Sequence, residues 1–185
     1  MLLYRVFPWL ASAPAGEGGH ALYVPEPTAA GRADNPAYYR VIYLSSAAPG
    51  AVAETFGNLA IWTPRMFVRP DLPGSVRALA TYDLSDDESV YDLDDPAALS
   101  ALGMRPSQVV TRDRSVTQGW ALRVFRQKRW SGLRWWSYYD PRWYTYAVWK
   151  FGALRLVSGQ LRALTIDDPA VVEAAEVLHR PLHSR

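Results

Sequence analysis

Strand-like and helix-like segments follow one another irregularly along this chain, and this irregularity constrains the fold more than any other feature. Alternating apolar residues predict strands over residues 2–7, 41–45, 76–84 and 133–137. Helical spacing of apolar residues predicts helices that follow Ser45, cover 96–102 and 117–128, and begin near Asp168. No regular strand–helix–strand repeat connects them, so we predict an α+β fold rather than a doubly wound parallel sheet.

Length and composition indicate a single domain over residues 1–185. A chain of 185 residues with 49% hydrophobic and 21% charged residues is typical of one globular domain, and this composition excludes a disordered chain. The net charge of +2 does not argue for nucleic-acid binding. The absence of cysteine excludes disulfides, Cys-ligated zinc and a catalytic thiol.

Several common site motifs and targeting signals are missing from the sequence. Neither a G-x-G-x-x-G loop nor a Walker A loop is present. The histidines His20, His179 and His183 are scattered, so we expect no metal site. No apolar run has the length of a membrane span, and Arg5 interrupts the first apolar stretch. We therefore expect a cytoplasmic protein without membrane association.

Two connecting regions have distinct compositions. Residues 11–37 are rich in Ala, Gly and Pro and predict a long loop, which in a compact domain usually serves a function. Residues 83–95 are acidic and predict a surface connection. Near the end of the chain, we predict a hairpin formed by 154–158 and 161–166 around Gly159.

A strand followed by a helix places two polar side chains away from the core. In the strand 41–45, alternation puts Tyr43 on the face opposite Ile42 and Leu44. The apolar stripe of the helix that follows is predicted to consist of Val52, Phe56, Leu59 and Ala60. Glu54 lies about 180° around the helix from this stripe, at about 100° per residue.

Four short pieces of sequence occur in order along the chain. They are Tyr4-Arg5-Val6, then Gly31-Arg32, then Tyr43 in VIYLSS with Glu54 in AVAETFG, and finally Ser137 in GLRWWSYYD. Arg32, Tyr43 and Glu54 follow each other at intervals of eleven residues. Together with the segments ALATYDL, VYDLDD and TQGWALRVF, this ordered set resembles the RES domain, which is named for an Arg, a Glu and a Ser. The resemblance runs from about Leu3 to Val177.

The resemblance implies a fold like that of the ADP-ribosyltransferases and an enzyme that depletes NAD⁺. Known RES proteins are toxins that cleave the nicotinamide–ribose bond by hydrolysis or phosphorolysis, commonly paired with an Xre-type antitoxin. NAD⁺ is then a substrate rather than a bound cofactor, and inorganic phosphate is a candidate co-substrate. The acceptor, the choice between NAD⁺ and NADP⁺, and the formation of a homodimer remain open.

The residue types suit the cleavage of this bond, which builds positive charge on the ribose. The carboxylate of Glu54 can stabilise that charge. Arginine makes forked bonds to phosphate, so Arg5 and Arg32 are candidates for the pyrophosphate, with Arg40 as the substitute for Arg32. Tyr43 offers a flat partner for the nicotinamide ring. We assign catalysis to Arg5, Glu54 and Ser137, and substrate binding to Arg32, Tyr43 and Arg40.

Other interpretations of the same residues stay open. A buried Arg5 needs a partner, and an ion pair with Glu54 is the structural alternative to a ligand phosphate. A protein ADP-ribosyltransferase is the nearest functional alternative. The second is a non-catalytic module in which the basic and aromatic residues of 128–143 bind single-stranded nucleic acid or carbohydrate. An enclosed cleft around Glu54 favours an enzyme, whereas a basic aromatic surface without a pocket favours the module.

Overall fold

Seven β-strands form one mixed sheet in the computed structural model, which describes residues 1–26, 28–86 and 88–183. The strands are β1 (Leu2–Trp9), β2 (Ile42–Ser45), β3 (Val76–Leu84), β4 (Val90–Asp92), β5 (Gly132–Trp136), β6 (Tyr144–Val148) and β7 (Leu154–Ala163). Their order across the sheet is β4-β5-β6-β2-β1-β3-β7. The β4–β5 pair is parallel and the other neighbours are antiparallel.

Three predicted segments extend beyond the described residues. They contain Pro27 of the long loop, Asp87 of the acidic connection, and Ser184 and Arg185 of the predicted domain.

Five α-helices lie within the described ranges and have predictable starts. They are α1 (Ala48–Phe56), α2 (Pro96–Ala101), α3 (Pro106–Val109), α4 (Arg114–Arg126) and α5 (Pro169–Val177). Asp95, Asp113 and Asp168 cap α2, α4 and α5 by accepting hydrogen bonds from backbone amides of the first turn. The cap at Asp113 explains why α4 begins earlier than residue 117, where the apolar stripe begins. Mixed strands and helices without a repeating crossover confirm the α+β class.

The sheet consists of two parts that meet at one point. β1 and β3 pair along their whole length, from Leu2 with Asp83 to Trp9 with Val76. By contrast, β1 and β2 pair only at Tyr4 and Ser45. Side chains from both parts contribute to one buried apolar cluster, whose members include Leu3, Phe7, Ile42, Leu44, Tyr82 and Tyr146. Beyond the single Tyr4–Ser45 pair the two strands separate, and this separation is where a cleft opens.

Helices cover the opposite faces of the two parts. On β1, Tyr4 and Val6 point away from Leu3 and pack with α1 and α5. A third apolar cluster lies between α2, α4 and the strands β4 to β6, and it contains Leu93, Trp120, Val124, Leu133, Trp135 and Ala147. The helix α1 is therefore held between β1 and α5, with its remaining face free to carry polar side chains.

The predicted hairpin at the end of the chain is wrong. Residues 154–163 form the one strand β7, and both its halves pair with β3, through Leu156 with Tyr82 and Leu161 with Ala80. Gly159, at φ +73°, lies at an irregularity of this pairing. The glycine therefore permits a bulge that bends the strand, rather than a turn that reverses it.

Two further expectations need correction. The apolar stripe of α1 does not reach Leu59 and Ala60, because the helix ends at Phe56 and both residues are exposed. The acidic connection contains the short strand β4, whose parallel pairing with β5 extends the sheet. In the described parts of the chain, no helix is long and apolar enough to cross a membrane.

Candidate functional site

A cleft of about 840 Å³ opens where the two parts of the sheet separate. Its lining includes residues of β1, β2 and α1, together with parts of the 11–37 loop and of the segment 110–114. Four of the predicted site residues line it, namely Arg5, Arg32, Tyr43 and Glu54. Residues that are far apart in sequence thus share one cavity.

Glu54 is the carboxylate at the centre of this arrangement. It lies on the exposed side of α1, and its Oε1 accepts hydrogen bonds from Ser137 Oγ at 2.7 Å and from Thr145 Oγ1 at 3.1 Å. No described residue donates a hydrogen bond to Oε2, although Glu54 lines the cleft. One carboxylate oxygen is therefore held by the protein, and the other is available to a ligand.

Ser137 reaches Glu54 from the end of β5. Its side chain is almost fully buried, and its Oγ also accepts a hydrogen bond from the backbone amide of Tyr139 at 3.2 Å. Because the hydroxyl proton goes to Glu54, Ser137 orients the carboxylate from behind the cleft wall. The structure therefore brings Ser137 to the site as a neighbour of Glu54.

Close packing fixes α1 against the sheet. Val52 and Phe56 are buried, which directs Glu54 to the opposite side of the helix, as the sequence pattern predicts. At Gly50, a Cβ atom would collide with Ser45 Oγ and press against Trp143. The glycine allows the first turn of α1 to lie directly on β2, which sets the depth of Glu54 in the cleft.

Arg5 enters the cleft from β1. Its Nη1 donates to the carbonyl oxygens of Tyr23 at 3.0 Å and Ala21 at 3.4 Å. Burial lowers the pKa of Arg5, and the neighbouring Tyr82 hydroxyl partly opposes this. No carboxylate of the described residues lies within ion-pair distance of Arg5, so the alternative of an ion pair with Glu54 does not apply.

Arg32, on the long loop, lines the cleft. Its Nη1 donates to the carbonyls of Thr111 at 2.6 Å and Val109 at 3.2 Å, and its Nη2 to that of Val110 at 3.5 Å. Burial lowers the pKa of Arg32, and the positive charge of Arg114 adds to this effect. The charge of Glu54 acts in the opposite direction, as expected for two groups that share a cleft.

Tyr43 is locked by a buried carboxylate. Its hydroxyl donates to Asp34 Oδ1 at 2.7 Å and accepts a hydrogen bond from the amide of Ala33 at 3.0 Å. Burial, together with Asp34, raises the pKa of Tyr43. The amide of Gly31 donates to Asp34 Oδ2 at 2.9 Å, and a Cβ atom at Gly31 would collide with the Tyr43 hydroxyl. This contact explains the glycine that precedes Arg32.

Arg40 does not join the other predicted residues. It lies outside the lining of the cleft, where its guanidinium donates to the carbonyl of Val24 and pairs with Glu26 at 3.4 Å. Its position thus does not bring it to the site proposed from the sequence.

With this geometry in place, comparison with known proteins gives the family. The family model described as the RES domain matches residues 2–178. The chain belongs to the RES-domain family. A chain of the crystal structure of the M. tuberculosis MbcT–MbcA toxin–antitoxin complex is similar in fold, with a TM-score of 0.61 and 19% sequence identity. That similarity covers 96% of this chain and 88% of the other. No curated protein matches the sequence.

Several residues of the site in this RES domain were missed by the sequence analysis. Asp34, Arg112, Arg114 and Thr145 line the cleft, as do the rings of Trp136, Tyr138 and Tyr139. The two tyrosines directly follow Ser137, which is a signal that the sequence did offer. No sequence signal marked Asp34 and Thr145. Asp34 acts through Tyr43 and Thr145 acts through Glu54, and only the fold brings these side chains together.

The basic aromatic segment 128–143 does not form a continuous surface on the RES domain. Leu133, Trp135 and Trp143 are buried, and Trp130 and Trp136 pack against the core. Tyr138 is exposed, but it lies at the cleft. Alternation into the core therefore accounts for most of these aromatic residues. Within the described residues, no three His, Asp or Glu side chains form a group able to hold a metal ion.

Proposed function

We propose that this RES domain binds NAD⁺ and breaks its nicotinamide–ribose bond, with water or inorganic phosphate as the acceptor. The observation that carries the proposal is the position of Glu54, whose carboxylate faces a cleft that also contains Arg5 and Arg32. Membership of the RES-domain family supports it. The cleft volume of about 840 Å³ also falls within the usual range for small-molecule sites.

The proposed chemistry depends on where charge develops. As the bond to nicotinamide lengthens, its electron pair leaves with the ring, and positive charge builds on the ribose. A fixed carboxylate beside the sugar stabilises that charge. Ser137 and Thr145 hold one oxygen of Glu54 in place, and the other oxygen interacts with the ribose. Nicotinamide leaves as a neutral molecule, so the site needs no strong general acid.

The remaining residues bind and orient the substrate. Arg5 and Arg32 contribute positive charge to the cleft, which favours an anionic substrate, and the ring of Tyr43 provides a flat surface for nicotinamide. Because Asp34 holds the Tyr43 hydroxyl, the ring is fixed before substrate arrives. NAD⁺ is the substrate in this mechanism, and no additional cofactor takes part.

We further propose that the protein is the toxin of a toxin–antitoxin pair in the cytoplasm. The support is its fold, which is similar to that of a chain in a toxin–antitoxin complex. An Xre-type protein that covers the cleft is the expected antitoxin. Co-expression with such a protein should restore growth of cells that express the wild type, and it should have no effect in cells that express Glu54→Gln.

The decisive experiment measures nicotinamide released from NAD⁺ by the purified protein, with and without inorganic phosphate. Glu54→Gln keeps the size of the side chain but removes its charge, and we expect its rate to fall by about 10²- to 10³-fold. Glu176→Gln makes the same change on the exposed face of α5 and serves as the matched control. Dependence on phosphate would identify phosphorolysis, and its absence would identify hydrolysis.

Two outcomes would overturn this assignment. Equal rates for the wild type and Glu54→Gln would show that the Glu54 carboxylate does not stabilise the transition state. No nicotinamide release from folded wild type, in either buffer, would contradict glycohydrolase and phosphorylase activity. Labelled NAD⁺ added to cell lysate then tests a protein ADP-ribosyltransferase, because only transfer leaves label on macromolecules.

A further inference from the structure

Besides Arg5, three arginines line the same cleft, but they are not equally free to bind a ligand. Arg32, Arg112 and Arg114 all belong to its lining. Both terminal nitrogens of Arg32 already donate to backbone carbonyls of residues 109–111. Its forked end therefore faces the protein.

The carbonyls that Arg32 binds lie at the end of a helix. The short helix α3 ends at Val109, and the last carbonyls of a helix have no partner within it. Arg32 binds the last of these, the carbonyl of Val109, and the next two carbonyls along the chain, with charge-assisted hydrogen bonds. In doing so it ties the long loop to the segment that leads directly into Arg112.

The other two arginines keep donors available. Arg114 donates from Nε to the carbonyl of Ala30 at 2.9 Å, which leaves both of its terminal nitrogens available. Arg112 is exposed, and no hydrogen bond joins it to another described residue. Neither side chain has a carboxylate within ion-pair distance in the described part of the chain.

The acidic residue between them forms no ion pair with either arginine. The side chain of Asp113 accepts hydrogen bonds from the amides of Ser115 and Val116 and from the Ser115 hydroxyl, as the cap of α4. Burial lowers the pKa of Arg32 most, and the positive charge of Arg114 lowers it further. Arg112 and Arg114, neither of which has an ion-pair partner among the described residues, therefore lie with Arg32 at one side of the cleft, which is a favourable place for an anion.

We propose that Arg112 and Arg114 bind the diphosphate of the nucleotide, and that Arg32 is the positioning residue that places them. The inference rests on the proposed function, because it takes a dinucleotide as the ligand. Each guanidinium presents a planar fork that matches two phosphate oxygens. The diphosphate then lies on the 110–114 side of the cleft, and the reacting ribose lies beside Glu54.

The test is the double variant Arg112→Gln/Arg114→Gln. Both side chains are exposed, so the variant should fold like the wild type. We expect the KM for NAD⁺ to rise about 10- to 100-fold, because charge-assisted bonds are lost. The kcat should stay within about twofold, since these bonds are made equally in the ground state and the transition state. The control, Arg126→Gln/Arg129→Gln, removes the same charge outside the cleft and should leave both constants unchanged.

A binding measurement separates this inference from the proposed catalysis. Titration calorimetry with ADP-ribose needs no turnover, and the double variant should bind it about 10- to 100-fold more weakly than the wild type does. If the wild type releases no nicotinamide but shows this difference, the proposed function fails and the anion site stands. Equal affinity of the two proteins for ADP-ribose, or no binding to the wild type, would overturn the site.

Inorganic phosphate is the other source of the same chemistry. If the double variant raises the KM for phosphate and leaves the KM for NAD⁺ unchanged, the arginines bind the co-substrate, and the assignment to the diphosphate is wrong. The opposite pattern supports the assignment. The variant Arg112→Lys/Arg114→Lys keeps the charge without the fork, and we expect it to recover only part of the affinity.

Discussion

The two walls of the cleft are built in different ways. The carboxylate wall consists of α1, β6 and the end of β5, and its functional groups are Glu54, Ser137 and Thr145. The arginine wall consists of the loop segment 29–35 and the segment 109–114. Regular structure forms the first wall, whereas loops form most of the second.

Different interactions hold the two walls. In the carboxylate wall, side chains from three elements bond one another over a packed core. In the arginine wall, side chains mostly bond backbone carbonyls, as Arg32 does with residues 109–111 and Gln118 with Ala29 and Gly31. Regular elements suit a group that must meet developing charge in a fixed position. Tethered loops suit a surface that binds the rest of the substrate.

Among the residues that support the two walls, the largest effect should come from removing the tether of the arginine wall. Arg32→Ala leaves three carbonyls without their donor and releases the segment that carries Arg112 and Arg114. We expect kcat/KM for NAD⁺ to fall about 100-fold, and the free energy of unfolding to fall by about 1–3 kcal/mol. Steady-state kinetics and urea unfolding measure the two quantities. Unchanged stability with lowered kcat/KM would mean that Arg32 contacts the substrate instead.

On the carboxylate wall, loss of the groups that orient Glu54 should lower kcat rather than raise KM. For Ser137→Ala and Thr145→Val we expect kcat to fall about 3- to 10-fold each, because the carboxylate loses a fixed position that matters in the transition state. Ser137→Thr keeps the hydroxyl and should recover part of the rate. Ser158→Ala, on the exposed part of β7, is the matched control. If these variants instead raised KM at constant kcat, the carboxylate wall would contribute to substrate binding as the arginine wall does, and the proposed difference between the walls would be wrong.

Substitution of Asp168, which lies behind the carboxylate wall, should lower stability without changing activity. Asp168 caps α5, which packs against α1, and it also receives two hydrogen bonds from Arg162. Asp168→Ala should lower the free energy of unfolding by about 1–2 kcal/mol through loss of the cap. Activity at a temperature well below unfolding should not change. The exposed cap Asp95→Ala offers a comparison on α2, and a smaller effect is expected there.

The smallest expected effect is on the stability of the folded protein at alkaline pH, and it arises from Tyr39, which follows the long loop. Burial raises the pKa of Tyr39 to about 12 from the ordinary 10.0, although a hydrogen bond from Asn35 opposes this. The folded protein therefore holds this proton more tightly than the unfolded chain does. Its contribution to stability is complete below about pH 10 and is lost as the pH rises through about 12.

The corresponding measurement compares variants. Urea unfolding between pH 9 and pH 11 should show a shallower loss of stability in Tyr39→Phe than in the wild type, by about 1 kcal/mol. Tyr38→Phe alters the exposed neighbour and should follow the wild type. Parallel curves for Tyr39→Phe and the wild type would contradict the tighter binding of this proton.

Particular elements show how far the sequence could predict the fold. The strand over 76–84 and the helix start at Asp168 were predicted correctly, because alternation and capping are local signals. The strand β6 was missed: its residues are mostly buried on both faces, so it lacks the alternation that marks a half-buried strand. The hairpin around Gly159 was wrong because a glycine permits both a turn and a bulge, and only the pairing with β3 distinguishes them.

The sequence by itself determined the α+β class, the resemblance to the RES family, and the placement of Glu54 away from the apolar stripe of its helix. These follow from periodicity and ordered motifs, which need no distant contact. Only the tertiary structure decided which groups meet: Ser137 and Thr145 at Glu54, Asp34 at Tyr43, and the carbonyls of residues 109–111 at Arg32. The availability of an arginine to bind a ligand depends on the backbone that folds against it, and residue type and spacing do not contain that information.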